Sequence, residues 1–195
     1  GGRYHQIRSP AVKGQAMLSL DQLGPRIMIM GPSNAGKSTL AVAMADKLAL
    51  PAVHLDQLHH LPNTDWQPRP EAEFVALHEG AIAKDRWIIE GNYSRLIPRR
   101  FERATGVVFL TSGKWLRLAR YFRRTFAEPG ARAGHLEGGQ EYIKWEMIDW
   151  ILFKTPNNVV RYKKMIETAQ LPTVSCHSAR QLQALYQQWG LALPD

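Results

Sequence analysis

A glycine-bounded run in the first quarter of the chain has the residue types and spacing to hold a polyphosphate. Gly31 is followed by four residues and then by Gly36, Lys37 and Ser38, which matches G-x-x-x-x-G-K-[ST]. Glycine lets backbone N–H groups approach phosphate oxygens, the lysine reaches the β- and γ-phosphates, and the serine hydroxyl binds Mg²⁺. The spacing therefore predicts a phosphate-binding loop, or P-loop, for a magnesium-bound nucleotide. The predicted nucleotide contacts are Gly31, Ser33, Asn34, Ala35, Gly36, Lys37, Ser38 and Thr39.

Two carboxylates follow apolar runs that are typical of buried strands. Asp56 comes after residues 52–55, and Glu90 comes after residues 86–89. The carboxyl ends of strands form the ligand-binding edge of an open α/β sheet, so both side chains are expected near the P-loop. Asp56 could orient or deprotonate a substrate hydroxyl, or could instead cap a helix. Glu90 is the candidate acid that holds Mg²⁺ together with Ser38.

Further polar side chains near the same edge could contact a second substrate. Arg69 lies in a proline-rich segment, 57–70, that predicts a loop, and its guanidinium would suit an anionic group. The turn after Glu90 carries three more candidates. The alternative is a loop and a turn with ordinary surface polar groups. The candidate substrate contacts are Asp56, Arg69, Asn92, Tyr93 and Arg95.

The net charge of +8 belongs to one part of the chain. Residues 95–132 contain ten Lys or Arg against two Asp or Glu, a surplus of eight that equals the whole net charge. Charge concentrated in this way is typical of a surface that meets phosphate groups, either of a nucleotide or of nucleic acid.

Within this basic block, residues 114–126 have a helical pattern with two faces. Four arginines fall within about a third of the helix circumference, and aromatic and aliphatic residues fall opposite. Like charges on one face repel each other unless an anion lies between them, which favours a phosphate-facing role over a merely solvated stripe. These arginines are Arg117, Arg120, Arg123 and Arg124.

The elements that position these residues alternate between strand and helix patterns. Helical segments separate five apolar runs, which lie near residues 26–30, 52–55, 86–90, 106–110 and 172–176. This alternation predicts a three-layer α/β/α fold of the P-loop NTPase class, with a five-stranded parallel sheet and right-handed crossovers. A glycine-rich stretch, 128–139, between two helical segments predicts a helical lid over about residues 113–165.

Length and composition favour a single domain. The chain has 195 residues, of which 45% are hydrophobic, enough for a substantial core. Residues 1–16 lack periodicity and are expected to be a tag or a flexible segment, which leaves 17–195 as the domain. The lone Cys176 excludes an intrachain disulfide framework. No membrane-spanning or signal-peptide pattern is present, so we expect a cytoplasmic protein without a membrane partner.

Several stretches together resemble the adenylate-kinase-like P-loop kinases, namely GPSNAGKSTLA, LDQLHHLP with DWQPR, WIIEGNY and RLARYFRR. Within that class the chain is most similar to the DNA topology modulation (FlaR-type) group, over about residues 26–190. The resemblance implies a sheet order of 2-3-1-4-5, a magnesium-site role for Glu90, and a lid whose arginines assist catalysis. The candidate catalytic residues are then Lys37, Asp56, Arg117, Arg120 and Arg124. Residues 90–95 read EGNYSR instead of the D-G-[FY]-P-R run of nucleoside monophosphate kinases, so the resemblance does not identify AMP as the acceptor.

The function favoured by these residues is transfer of the γ-phosphoryl group of Mg-ATP to a small acceptor, such as a nucleotide, a nucleoside or another metabolite. One alternative is a DNA-associated topology modulator or ATPase that uses residues 95–132 on nucleic acid phosphates. Another is a regulator that binds ATP without turnover. A GTPase is disfavoured because no N-K-x-D guanine signature occurs in the chain, and its length disfavours a motor or AAA-type ATPase.

Overall fold

The computed structural model describes residues 17–111, 121–123 and 155–194, together with positions 145 and 148. In this part of the chain five strands form one sheet in which every neighbouring pair is parallel. The order β2-β3-β1-β4-β5 confirms both the predicted parallel sheet and its predicted order. The strands are β1 (Arg26–Met30), β2 (Ala52–His54), β3 (Trp87–Glu90), β4 (Gly106–Leu110) and β5 (Thr173–Cys176).

Helices cover both faces of the sheet, which confirms the three-layer prediction. Short 3-10 helices precede β1 and follow β3. The α-helices with described bounds are α1 (Lys37–Leu48), α2 (Leu55–His59), α3 (Glu71–Ile82), α4 (Ile97–Arg103), α5 (Thr155–Ala169) and α6 (Ala179–Gln188), and residues 121–123 are also helical.

Two apolar clusters, one on each face of the sheet, join the layers. Successive residues of a strand point to opposite faces. Ile29 of β1 therefore belongs to the cluster that includes Leu40 of α1 and Leu185 of α6. Its neighbour Met28 belongs to the other cluster, which includes Ile82 of α3 and residues of α4 and α5. Burial on both faces explains why the central strands β1, β3 and β4 are nearly continuous apolar runs in the sequence.

The strand order brings the P-loop beside the turn that follows β3. In the register of the sheet, Glu90 is paired with Ile29 of β1 on one side and with His54 of β2 on the other. Parallel strands end at the same edge of a sheet. Gly31, which follows β1, therefore lies at the same edge as His54 and Glu90.

Some elements differ from those predicted. Strand β2 ends at His54, and Leu55 begins α2, so Asp56 lies in the first turn of a helix and not directly after a strand. The prediction extended the strand because Leu55 is apolar, but its fully buried side chain packs in the cluster with Met28 from a helical position. Helix α4 was predicted only as a helical segment without bounds between β3 and β4, and α5 begins within the predicted lid but extends beyond it to Ala169.

Most of the predicted lid, about residues 113–165, lies outside the described residues, as do Arg117, Arg120 and Arg124. Residues 1–16 also lie outside them. Among the described helices, none combines the length and the apolarity needed to cross a bilayer.

Candidate active site

Backbone geometry at the P-loop requires glycine at two positions. A Cβ added at Gly31 would lie 2.0 Å from the carbonyl oxygen of Leu110, and the φ of Gly31 is +150°. Gly36 has a φ of 99°, in the left-handed region, and immediately precedes α1, which begins at Lys37. The N–H groups in the first turn of an α-helix point along its axis, so the start of this 12-residue helix is a favourable place for phosphate oxygens.

The two chemically active side chains of the P-loop motif make different contacts. The ammonium of Lys37 donates to the carbonyl oxygen of Pro32 at 2.9 Å, so it lies over its own loop. The hydroxyl of Ser38 donates to Oε1 of Glu90 at 2.8 Å, across a sequence separation of 52 residues. The fold thus brings together Ser38 and Glu90, the two predicted metal ligands.

Glu90 is a buried carboxylate with two donors on one oxygen. Its exposed fraction is 4%, and Oε1 accepts from Ser38 and also from Nδ1 of His54, at 2.8 Å. Burial by itself raises the pKa of Glu90, but the His54 hydrogen bond, the charge of Lys37 and the Ser38 hydroxyl outweigh it, and the pKa is lowered. Glu90 is therefore an anion at neutral pH.

His54 is a site residue that the sequence did not single out. A carboxylate oxygen only accepts, so Nδ1 of His54 carries the hydrogen in this contact. The imidazole is 7% exposed at the end of β2 and holds Glu90 from the side opposite the P-loop strand. A polar residue ending an otherwise apolar strand was the available signal.

Ser38 and Glu90 fit a magnesium ion of the kind that nucleotide enzymes use. Both offer oxygen, and Mg²⁺ in such sites takes one or two protein groups together with waters and phosphate oxygens. The described residues contain no group of three or more His, Cys, Asp or Glu that could hold an ion alone. Ser38 and Glu90 would thus supply two of the ligands of such a metal, and waters and phosphate oxygens would supply the others.

Asn92 joins the turn after β3 to the P-loop. Its Oδ1 accepts from the N–H of Gly31 at 3.1 Å, and its Nδ2 donates to the carbonyl oxygen of Gly31 at 2.7 Å. A Cβ added at the preceding Gly91 would lie 2.9 Å from Cβ of Leu55, so the chain passes α2 closely here. The Asn92 amide, which was predicted to contact a substrate, forms these hydrogen bonds with the first residue of the P-loop.

Asp56 and Tyr93 form a pair on the side of the site away from β4. The Tyr93 hydroxyl donates to Oδ1 of Asp56 at 2.5 Å. Burial and then the charge of Asp56 raise the pKa of Tyr93, so the phenol stays protonated. The ring of Tyr93 lies 4.7 Å from that of His59 and 5.1 Å from that of Phe74, which fixes the hydroxyl on the carboxylate.

The two predicted substrate arginines contact other parts of the fold. Arg69 donates through Nε to the carbonyl oxygen of Leu58 at 2.9 Å and lies 3.9 Å from Glu73. Arg95 is largely exposed and pairs with Glu71 at 3.0 Å. These contacts attach the 57–70 segment and the β3 turn to α3, and a substrate role for either arginine stays a prediction.

Arg161 of α5 is another cation that the sequence did not single out. Its Nη2 donates to Oγ of Ser94 at 2.5 Å, and its guanidinium lies 5.5 Å from the centroid of the Tyr162 ring. Ser94 directly follows Tyr93, so α5 brings a positive charge to the turn after β3. A single arginine in a polar helix carries no sequence signal for this.

A small cleft lies beside the P-loop at the carboxyl ends of β4 and β5. One of its lining residues, Thr111, has its hydroxyl 2.6 Å from Nδ1 of His177. Ser178 caps α6 by accepting from the N–H of Gln181 at 3.1 Å. The lining residues are Ala35, Leu110, Thr111, Cys176, Ser178, Ala179 and Leu182.

No protein-family model and no curated protein matches the chain. Solved structures match its fold. A shikimate kinase from Acinetobacter baumannii, solved in complex with shikimate, aligns over 84% of this chain and 89% of its own, with a TM-score of 0.51 and 16% identity. A candidate kinase from Chloroflexus aurantiacus aligns over 88% of this chain and 100% of its own, with a TM-score of 0.53 and 15% identity. The chain therefore has the fold seen in P-loop kinases.

Proposed function

We propose that this chain is a kinase that transfers the γ-phosphoryl group of Mg-ATP to a small acceptor. The observation that supports this most is the 2.8 Å hydrogen bond between Ser38, the last residue of a complete P-loop motif, and Glu90. This pair supplies the hydroxyl and the carboxylate with which a P-loop enzyme holds Mg²⁺. The fold shared with a shikimate kinase supports the same class of reaction.

The nucleotide half of the site lies between α1 and β4. The N–H groups at the start of α1 and the Lys37 ammonium bind the phosphates, and Ser38 and Glu90 hold the metal. When bound, Mg²⁺ neutralises charge on the β- and γ-phosphates. We propose that the base of ATP lies near Thr111 and Ser178, which line a cleft together with the P-loop residue Ala35.

The acceptor half is centred on Asp56. For a hydroxyl acceptor, its oxygen bonds to the γ-phosphorus while the bond to the β,γ-bridging oxygen breaks, and ADP leaves with that electron pair. The hydroxyl proton goes to Asp56, whose Oδ1 is held by Tyr93. The fixed carboxylate thus orients the acceptor oxygen toward the nucleotide.

Cations from elements that follow β4 offset charge on the transferring group. Arg161 reaches the turn after β3 through Ser94. We propose the same role for the lid arginines Arg117, Arg120 and Arg124, which the helical pattern places on one face.

The contacts of the basic block favour a small acceptor over nucleic acid. Arg99 pairs with Glu79 at 2.9 Å and also with Glu102, and Arg100 is fully buried. Arg103 donates to a backbone carbonyl at the end of α3 at 3.0 Å. Nucleic acid binding depends on cations that can reach phosphates, whereas Arg100 is buried and Arg99 and Arg103 already bind carboxylates and backbone carbonyls.

Label transfer tests this function. ATP labelled with ³²P at the γ-position is incubated with the protein and with a pool of nucleosides, nucleotides, sugars and hydroxy acids, and separately with duplex DNA. We expect the label in a small organic product, and a rate at least about 10²-fold lower for Lys37→Ala. Label released only as inorganic phosphate, or turnover that requires DNA, contradicts the proposal.

A further inference from the structure

Arg100 of α4 is a fully buried guanidinium whose partners are neutral. Its exposed fraction is 0%, and none of the described carboxylates pairs with it. Its Nη2 donates to the carbonyl oxygen of Gly91 at 3.3 Å and to that of Asn92, and its Nη1 lies 3.2 Å from Nε2 of His78. The cation is thus held by the turn after β3 and by one imidazole of α3.

The protonation states of this pair follow from its surroundings. Arginine has donors only, so Nε2 of His78 accepts from Arg100. Burial and then the charge of Arg100 lower the pKa of His78 to about 4, which leaves the imidazole neutral. Burial also lowers the pKa of Arg100, to about 10, but the guanidinium remains charged at neutral pH.

Considered by itself, this arrangement of Arg100 and His78 lowers the stability of the fold. A buried charge without a counter-charge loses hydration that neutral acceptors replace only in part. In addition, Nε of Arg100 and Nδ1 of His78 have no hydrogen-bond partner among the described residues. An apolar side chain of similar volume would fill the same space with less loss of free energy. Packing therefore does not explain why an arginine is present.

The turn that Arg100 binds contacts both halves of the site. Through its side chain, Asn92 pairs with both backbone groups of Gly31, at 3.1 and 2.7 Å. The next residue, Tyr93, has a φ of 47°, in the left-handed region that a side chain disfavours, and its hydroxyl binds Asp56 at 2.5 Å. Fixing the carbonyls of residues 91 and 92 fixes the directions in which both side chains leave the backbone.

We propose that Arg100 is a positioning residue that couples the P-loop to the acceptor side through the backbone of residues 91–93. The inference rests on the proposed function, since it takes ATP to be the ligand of the P-loop. Without the two carbonyl contacts the turn gains conformational freedom. Asn92 then fixes Gly31 less well, and the P-loop must be ordered when the nucleotide binds.

The chain offers a matched control for this role. Arg103 lies one turn further along α4 and also binds backbone carbonyls, but those of residues 82–84 at the end of α3. Arg100→Lys and Arg103→Lys each keep the charge and lose the planar fork of donors. We expect both to lower the thermal midpoint, and only Arg100→Lys to weaken Mg-ATP binding, by about tenfold in isothermal titration.

A double-mutant cycle separates coupling from general loosening of the fold. We expect Asn92→Ala to weaken Mg-ATP binding about tenfold in the wild-type background, but less than about threefold in the Arg100→Lys background. In the Arg103→Lys background the full effect of Asn92→Ala should remain. If Arg100 had a purely structural role, Asn92→Ala would weaken Mg-ATP binding by the same factor in the wild-type and Arg100→Lys backgrounds.

His78→Leu tests the same role if Arg100→Lys does not fold. It removes the acceptor of Nη1, and we expect Mg-ATP binding to weaken about threefold and its coupling to Asn92→Ala to fall. The inference is overturned if the Arg100→Lys or His78→Leu protein binds Mg-ATP as tightly as Arg103→Lys does. It is also overturned if the two substitutions in the cycle have independent effects. Wild-type protein that binds no Mg-ATP overturns the proposed function as well, so the two failures are distinguishable.

Discussion

The hydroxyl of Ser38 donates to Oε1 of Glu90, the same oxygen that accepts from His54. The three residues come from the start of α1, the end of β3 and the end of β2, so elements far apart in the chain meet at one atom. Their meeting fixes a buried anion beside the P-loop. If the Glu90 carboxylate holds the metal, its charge and its hydrogen bonds should affect the magnesium requirement separately.

Glu90→Gln keeps the shape of the side chain and an acceptor for Ser38 but removes the charge. We expect the Mg²⁺ concentration for half-maximal transfer to rise at least about tenfold and the maximal rate to fall about 10²-fold. Glu102→Gln, which changes an exposed carboxylate paired with Arg99, serves as the control and should leave both quantities unchanged. An unaltered magnesium requirement in Glu90→Gln would show that the metal lies elsewhere.

His54→Leu should raise the magnesium requirement because Glu90 loses one of its two donors. We expect an increase of about tenfold, as for other residues that orient a metal ligand. Asn has an amide N–H close to the position of Nδ1, so His54→Asn should recover most of the wild-type behaviour. Equal magnesium titrations for the Leu and Asn variants would refute a positioning role for His54.

Stability should fall as the pH drops from about 6.5 toward 4 because His78 is buried in its neutral form. In this window the unfolded chain binds a proton that the folded chain does not, since burial and the charge of Arg100 lower the folded pKa to about 4. The nearby Arg99 acts in the same direction, and Glu79 acts against it.

His78→Gln isolates this contribution, because its side-chain oxygen can accept from Arg100 and does not titrate. Urea midpoints at about pH 7 and about pH 5 should differ more for the wild type than for His78→Gln. The same loss in both proteins would mean that other groups cause the acid sensitivity.

The parts of the site that could be predicted have signals that are local in sequence. The P-loop has a fixed spacing, and Glu90 ends an apolar strand. Their position at one edge of the sheet therefore followed from the order of the strands and helices in the sequence. Asp56 was placed near this edge for the same reason, although it lies in α2. The sheet and its order agree with prediction because parallel strands buried on both faces leave apolar runs.

The residues that escaped prediction act through contacts distant in sequence. Arg99 and Arg100 are adjacent and identical, yet one is exposed and paired with carboxylates while the other is fully buried. The count of charged residues predicted that both arginines lie on a basic surface. Only the packing of α4 against the sheet distinguishes them. His54 and Arg161 escaped for the same reason, since their partners, Glu90 and Ser94, are 36 and 67 residues away.

The central claim is that the P-loop is one half of a two-substrate site whose other half is centred on Asp56. Asp56→Asn tests it most directly, because the amide can still accept from Tyr93 but cannot take a proton. Mg-ATP affinity and γ-phosphoryl transfer into the same metabolite pool are measured on one preparation. We expect affinity within about twofold of the wild type and transfer reduced at least about 10²-fold. Transfer at the wild-type rate, or a loss of affinity as large as the loss of transfer, would contradict the account.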